Sequence, residues 1–386
     1  MPSAIRGRDG SLATAALGQP GAGREPWPDL ARGATVLLVV AMHLLYLHLV
    51  PHLWGTAATS LHQRPVDWTT PLRMPLFFVT SGYLSARMLT RSWRSGFSGR
   101  IAPRLYLYVV WLAVTTISLW GLREWSADWD PLGYFLPELL YPSGVLWYLW
   151  ALPVYFAVAR ATRALPVWLV IALAAAASIG VEIAGDTAFL LDIVDFAGWV
   201  SIVSGFLPFV VGARLPDAIR ALARSGRAWQ TAGVVALAIA AVAVRRESPV
   251  PIVTELLVSA VCVGAALMVM SHVAHWRVWR PIRYIGRNTL TIFALHPLLI
   301  IALNKLFSEH PAIPAAIRDQ HALAVLLPTA ELLLIVGFSL LFERLLRRVG
   351  LRYLFEMPRF RAQRRRARGR LAARQSERTN SSSISS

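Results

Sequence analysis

The chain has 386 residues, of which 56% are hydrophobic, and its formal net charge is +18 at pH 7. The apolar residues come in blocks of about twenty, the length that spans a hydrocarbon core, so the composition excludes a soluble globular protein. A single cysteine, Cys262, excludes an internal disulfide framework and a cysteine metal cluster, and no metal site is expected. The arginines lie in short loops and in one tail, as membrane orientation requires, which argues against a nucleic-acid partner.

The chain divides into three predicted parts. Residues 1–28 lack the apolar core of a cleavable signal peptide and are predicted to be a disordered cytoplasmic segment. Residues 29–345 form the predicted transmembrane domain. Residues 346–386 are rich in arginine and end in a serine-rich tip, which predicts a basic, mostly disordered cytoplasmic tail attracted to anionic lipid.

Apolar blocks between charged or Pro/Gly-rich breaks predict an all-α fold, a polytopic membrane bundle of about ten transmembrane helices. The predicted spans lie near 31–50, 72–89, 104–122, 145–160, 166–184, 197–212, 228–244, 253–273, 289–306 and 322–342.

The segments between the spans alternate in charge along the chain. Arg87 lies at the end of the second span and Arg91 and Arg94 follow it, whereas Asp130 and Glu138 follow the third, and the alternation then repeats. By the positive-inside rule both termini are predicted to be cytoplasmic, in a multi-pass protein of the cell inner or plasma membrane with the lipid bilayer as its partner.

Two histidines are predicted to lie inside the membrane. His43 follows Arg32 by eleven residues on the first span, roughly 16 Å along a helix and near the middle of the bilayer. His296 lies at a similar depth on the ninth span, next to Pro297. Intramembrane histidines usually face a cavity or a polar partner, but each of these has a structural alternative: packing for His43, and capping of the backbone freed by Pro297 for His296.

Several other polar residues are candidates for binding. Arg73 is predicted near the outer face, where it either snorkels to lipid headgroups or contacts an acceptor. Ser81 precedes Gly82, a pair typical of close helix approach. Arg100 and Arg104 are one helical turn apart, so they either hold an anion such as a phosphate or supply ordinary positive-inside charge. Motifs for ATP hydrolysis, metalloproteolysis and dinucleotide binding are missing from the sequence.

Five loose motifs follow one another along the chain. They are Asp29-Leu30-Ala31-Arg32 with His43 eleven residues after the arginine, Phe77–Leu84, Phe97 with Arg100 and Arg104, Leu146–Trp150, and Ile285–Leu290 leading to Leu295-His296-Pro297. In this order and spacing the chain resembles the acyltransferase-3 family of integral membrane O-acyltransferases, over roughly residues 26–345. The chain has no extra esterase-like domain of the kind found in larger members, so acceptor choice is expected to reside in the helices and short outer loops.

The resemblance implies a ten-helix enzyme that moves an acyl group, usually acetyl, from cytoplasmic acyl-CoA to a hydroxyl of a glycan, lipid-linked sugar or secreted metabolite. Acyl-CoA is then a co-substrate, and no cofactor is expected to be bound permanently. Arg32 and His43 correspond to the essential pair of the family, and Arg100 and Arg104 to its loop arginines.

A mechanism consistent with this resemblance assigns a role to each candidate. Arg32, Arg100 and Arg104 bind the phosphates of coenzyme A, and His43 is the general base or, as a variant, the nucleophile. The candidates for substrate binding are Arg73, Ser81, Tyr83, Trp147 and His296, and Tyr148 is expected only to line the cavity.

Two other functions fit the same sequence. One is a multi-pass transporter or glycan exporter, in which His43 relays protons. The other is a membrane scaffold without catalytic activity.

Overall fold

The structure, a computed structural model, describes residues 25–122, 130–142, 144–185, 196–245 and 251–358. It is 89% helical with no strand among these residues, which confirms the all-α prediction. We number the helices in chain order: α1 Trp27–Leu53, α2 Ala57–Trp68, α3 Thr70–Leu89, α4 Trp93–Gly121, α5 Pro131–Leu140, α6 Trp147–Ala161, α7 Val167–Gly185, α8 Phe196–Arg214, α9 Pro216–Arg224, α10 Ala228–Val244, α11 Pro251–Val273, α12 Arg280–Arg287, α13 Thr289–Glu309, α14 Ala312–Asp319 and α15 His321–Arg348.

Each of the ten predicted spans lies on one of these helices. Within the described residues, six helices are long and apolar enough to cross a membrane: α1, α4, α7, α11, α13 and α15. Helices α8 and α9 would supply a seventh span if the pair, bent by 81°, is counted as one. The number of ten spans and the cytoplasmic termini therefore stay predictions.

The two ends of the predicted transmembrane domain are tied to the bundle. Helix α1 begins at Trp27, whose ring is buried. After α15, the backbone carbonyl of Leu354 accepts a hydrogen bond of 2.8 Å from Nε1 of Trp111 on α4. Residues 1–24 and 359–386, which make up most of the predicted terminal segments, lie outside the described residues.

Helices α3 and α8 cross at two glycines. A Cβ atom on Gly82 would lie 2.1 Å from the carbonyl oxygen of Phe209, and one on Gly212 would lie 2.0 Å from that of Val79. No side chain fits at these distances, so the two backbones are in contact. This confirms the prediction that Ser81-Gly82 marks a close helix approach.

A second glycine crossing holds α1 against α12. A Cβ atom on Gly33 would lie 2.0 Å from the carbonyl oxygen of Ile282, and one on Gly286 would lie 1.8 Å from that of Asp29. The carboxylate of Asp29 is buried and accepts a 2.8 Å hydrogen bond from Nε of Arg287. This crossing fixes the end of α1 that carries Arg32.

Replacing Gly286 by alanine tests the crossing. We expect Gly286→Ala to destabilise the protein by about 1 to 3 kcal/mol, because the new methyl group must push the backbone of α1 away. Thermal unfolding of the purified protein in detergent measures the effect. The control is Gly337→Ala on α15, where the space around the glycine is open. Equal melting temperatures for the two variants would contradict the tight crossing.

Candidate active site

The two predicted intramembrane histidines are in contact. Nδ1 of His43 on α1 lies 2.9 Å from Nε2 of His296 on α13, within hydrogen-bond distance. Their rings are stacked, with centroids 5.1 Å apart and planes inclined by 22°. His296 is fully buried, whereas His43 is only half-buried. The pair therefore has one sheltered member and one accessible member.

The hydrogen bonds of His296 determine which nitrogen of His43 is basic. Nδ1 of His296 lies 2.9 Å from the carbonyl oxygen of Ile292, which can only accept, so this nitrogen carries a proton. In the neutral ring Nε2 of His296 then holds a lone pair and accepts from Nδ1–H of His43. Nε2 of His43 is left with its lone pair. His296 thus binds the helix backbone at Ile292 and also fixes the tautomer of His43.

A π-helical turn at Leu45–Leu49 begins two residues after His43. In a regular α-helix, residues 43 and 48 would be separated by about 140° around the axis. The wider π turn brings His48 to the side of α1 that faces α13, where its Nδ1 lies 2.7 Å from Oδ1 of Asn304. Asn304 in turn donates through Nδ2 to the carbonyl oxygen of Leu47, at 2.8 Å.

A second buried polar pair forms at this turn. Nε2 of His48 lies 3.3 Å from Oε1 of Glu331 on α15, and both side chains are buried. Because Nδ1 of His48 donates to Asn304, two lone pairs would face each other here unless the histidine and the carboxyl group share one further proton. Sequence reasoning missed this pair. Its signals were a histidine five residues after His43 and a lone glutamate in an apolar span.

The three predicted arginines line one cavity of about 290 Å³. It opens between α1, α3, α4, α6 and α13. Its wall consists of Arg32, Phe77, Ser81, Leu84, Arg100, Pro103, Arg104, Leu107, Tyr148, Leu149, Leu152, Thr289 and Leu290. The structure therefore brings Ser81 and Tyr148 together with the arginines, and it adds Thr289.

The guanidinium groups at this cavity are held by neutral oxygens. Nη2 of Arg32 donates to Oγ1 of Thr289 at 2.6 Å. Nη2 of Arg100 donates to the carbonyl oxygen of Leu84 at 2.5 Å, and Nη1 of Arg104 to that of Arg100 at 2.8 Å. The positive charges of Arg32 and Arg100 both act on Arg104. An anion between the three groups would relieve this repulsion, so the cavity is suited to phosphate.

A layer of aromatic rings separates the arginine cavity from the histidine pair. Tyr148 packs on Phe293 with ring centroids 4.3 Å apart, and Phe77 lies edge-on to both rings. Phe293 in turn contacts His296, at a centroid distance of 6.2 Å. The cavity and the histidine pair therefore lie on the two sides of one aromatic layer.

Two predicted substrate-binding residues lie away from this cavity. Trp147 packs against Phe78, with ring centroids 5.6 Å apart. Tyr83 faces a separate open cavity of about 1440 Å³ that is lined by several arginines, and its hydroxyl donates to Glu25 at 2.7 Å.

Glu25 lines this separate cavity and accepts several hydrogen bonds there. It also accepts hydrogen bonds from Nε1 of Trp27 at 3.1 Å and from Nη2 of Arg224 at 2.7 Å. Burial raises the pKa of the Glu25 carboxyl, but the hydrogen bonds from Tyr83, Trp27 and Arg224 lower it by more, so the net pKa lies below its usual value. The negative charge of Glu25 thus ties the start of α1 to α3 and α9.

Arg73 lies at the opposite end of α3 from the arginine cavity. Its guanidinium is buried and donates to the carbonyl oxygen of Val66 at 2.6 Å and to the hydroxyls of Thr69 and Thr70. Snorkelling to lipid is therefore wrong for this residue, because its acceptors lie within the protein, on Val66 of α2, on Thr69 between the helices and on Thr70 of α3. The positive charge of Arg73 also acts on His43.

A family model described as an acyltransferase domain matches residues 25–346. The chain belongs to the acyltransferase-3 family. No curated protein and no solved structure matches the chain. The match covers α1 to α15 and includes the histidine pair and the arginine cavity, so this site lies in a multi-pass membrane acyltransferase.

The burial of the His48–Glu331 pair predicts how its removal changes stability. Glu331→Leu should destabilise the acyltransferase by about 3 to 5 kcal/mol, because it leaves His48 without its partner in an apolar interior. The double variant His48→Phe/Glu331→Leu should recover most of the loss, since neither polar group then stays behind. Thermal unfolding of the four proteins forms the cycle, with the exposed Glu309→Leu as a control. Losses that simply add would show that the two residues are not coupled.

Proposed function

We propose that this acyltransferase uses acyl-CoA, most simply acetyl-CoA, as donor and the hydroxyl group of a glycan, lipid-linked sugar or secreted metabolite as acceptor. We place it in the cell inner or plasma membrane, with both termini and the arginine cavity on the cytoplasmic side. The single observation that carries the proposal is the contact of His43 with His296, one aromatic layer away from a cavity lined by three arginines.

Donor binding follows from charge and size. The phosphates of coenzyme A carry several negative charges, and guanidinium groups bind such oxygens through paired N–H donors. The cavity of about 290 Å³ is small for a whole coenzyme A molecule, so it holds the phosphates at its mouth together with part of the acyl-bearing arm. The arm then extends toward His43, roughly 16 Å along α1 from Arg32.

The reaction is a direct acyl transfer. The acceptor hydroxyl oxygen attacks the thioester carbonyl carbon, and its proton moves to Nε2 of His43. As the tetrahedral intermediate collapses, the C–S bond breaks and the proton passes from His43 to the departing sulfur. The products are the O-acyl ester and coenzyme A as the free thiol.

His296 contributes by positioning. Its Nε2 accepts from Nδ1–H of His43, which orients the ring and stabilises the imidazolium that forms when His43 takes the proton. Because Nδ1 of His296 is engaged with Ile292, the ring of His296 is itself held in place. This is the arrangement of a base supported by a second group.

His43→Gln tests the base. The change keeps hydrogen-bonding groups but removes basicity, so acylation should fall about 10²- to 10⁴-fold while the protein stays inserted and abundant. Cells that lack the gene are complemented with wild type, His43→Gln or the exposed His310→Gln as control. Mass spectrometry of surface glycans, lipids and secreted metabolites then searches for the increment in mass that an added acyl group gives.

The increment should appear with wild type and His310→Gln and be missing with His43→Gln. Full acylation by a membrane-inserted His43→Gln protein would remove His43 from the mechanism. A chain that leaves every hydroxyl unmodified but moves a solute in response to a proton gradient would instead be a carrier.

The donor site is tested by binding. Charge-assisted hydrogen bonds contribute about 1.5 to 3 kcal/mol each, so Arg100→Ala and Arg104→Ala should each weaken coenzyme A binding roughly 10- to 150-fold. Calorimetry on the purified proteins measures this. The matched control is Arg277→Ala, an exposed arginine on the same predicted side of the membrane. Wild-type affinity in both cavity variants would mean that these arginines only orient the helix.

A further inference from the structure

The hydroxyl group of Tyr148 is buried and has no hydrogen-bond partner among the residues that the structure describes. The tyrosine as a whole is only 4% exposed. Buried hydroxyls are nearly always partnered, and two other buried tyrosines follow this rule: Tyr155 donates to the carbonyl of Ile202, and Tyr108 to that of Glu138. An unmet donor in an apolar interior is costly, and a molecule bound in the adjoining cavity would supply the partner that the described residues do not.

The position of Tyr148 indicates what that partner is. Tyr148 is part of the wall of the arginine cavity, and the charge of Arg32 acts on it. Its ring also packs on Phe293, the residue that contacts His296. Tyr148 therefore lies between the site proposed for the phosphates and the proposed base. A donor molecule that reaches from one to the other must pass it.

We infer that Tyr148 is a catalytic residue whose hydroxyl donates a hydrogen bond to the carbonyl oxygen of the acyl group. This role rests on the proposed function, since it requires an acyl thioester in the cavity. When the acceptor oxygen attacks, the carbonyl carbon becomes tetrahedral and its oxygen gains negative charge. The O–H of Tyr148 stabilises that charge without giving up its proton, and the charge returns to the carbonyl as the C–S bond breaks.

The rings around Tyr148 support this role. Phe77 and Phe293 hold the phenol in place, so it does not have to be ordered during the reaction. Their apolar surfaces also keep water from competing for the hydroxyl, which strengthens a hydrogen bond to a developing oxyanion.

Infrared spectroscopy of bound donor tests the inference directly. The probe is acetyl-CoA labelled with ¹³C at the thioester carbonyl, added to the purified protein in detergent. A hydrogen bond from Tyr148 lowers the carbonyl stretching frequency, so the labelled band should shift down on binding to wild type. The shift should be lost in Tyr148→Phe and kept in Tyr155→Phe, the same change on the same helix outside the cavity.

Turnover and stability give independent readouts. Acylation in complemented cells should fall about 10²- to 10³-fold in Tyr148→Phe, the usual effect of losing one oxyanion donor, whereas calorimetric affinity for acetyl-CoA should change only a few-fold. The melting temperature of Tyr148→Phe should equal or exceed that of wild type, because the hydroxyl has no partner to lose. Tyr155→Phe should melt lower.

The outcomes separate this inference from the proposed function. If wild type binds acetyl-CoA but its carbonyl band does not shift, or if Tyr148→Phe keeps the shift, the role of Tyr148 is overturned and the acyl-CoA donor stands. If wild type does not bind acetyl-CoA at all, the proposed donor fails and the role of Tyr148 falls with it. A wild-type band that does not shift overturns the role of Tyr148 even if Tyr148→Phe does not fold.

Discussion

The packing of α1 against α12 and α13 is the contact on which the rest of the site depends. Helix α1 carries both Arg32 and His43, and its position is set by backbone contact at Gly33 and Gly286. Because a helix is rigid along its axis, fixing one end of α1 also fixes the depth at which His43 meets His296. The distance from the arginine cavity to the basic nitrogen is therefore a property of helix geometry rather than of loops.

Most of the polar groups that hold α1 in the bundle have a partner on a neighbouring helix or on backbone, whereas the Tyr148 hydroxyl is an exception. His43 contacts His296, Asp29 accepts a hydrogen bond from Arg287, and His48 lies against Glu331. A mispacked α1 would leave several of these groups unpaired at once, at a cost of a few kcal/mol each. The polar pairs thus specify one arrangement of α1 among helices whose apolar surfaces are similar, and the site is built from the pairs that give this specificity.

Much of this arrangement could be predicted from the sequence, because depth in a membrane helix is a simple function of residue number. The helical segments followed from the apolar blocks, and the equal depth of His43 and His296 followed from their distances to the helix ends. Convergence of Arg100 and Arg104 on one cavity followed from their spacing of one turn. These predictions needed only the rise per residue and the cost of burying charge.

The parts that failed depend on irregular backbone and on the order in which helices pack. A π turn has no clear sequence signature, so the joint orientation of His43 and His48 was not foreseen. Glu331 lies far along the chain from His48, and nothing in a single sequence pairs them. Arg73 was predicted either to snorkel to lipid headgroups or to contact an acceptor, because its bonds to Val66, Thr69 and Thr70 could not be read from composition.

The aromatic layer of Phe77, Tyr148 and Phe293 resolves a problem that any transferase of this type faces. An activated base next to a thioester will hydrolyse it if water from the donor side reaches the site. In the proposed reaction the donor enters through the polar cavity lined by arginines, whereas the base lies on the other side of the aromatic layer, in contact with the fully buried His296. In that reaction only the acyl arm has to pass the aromatic layer, whereas the hydrated phosphates stay with the arginines. Separation of the anion site from the base thus favours transfer to an acceptor hydroxyl over loss of the acyl group to water.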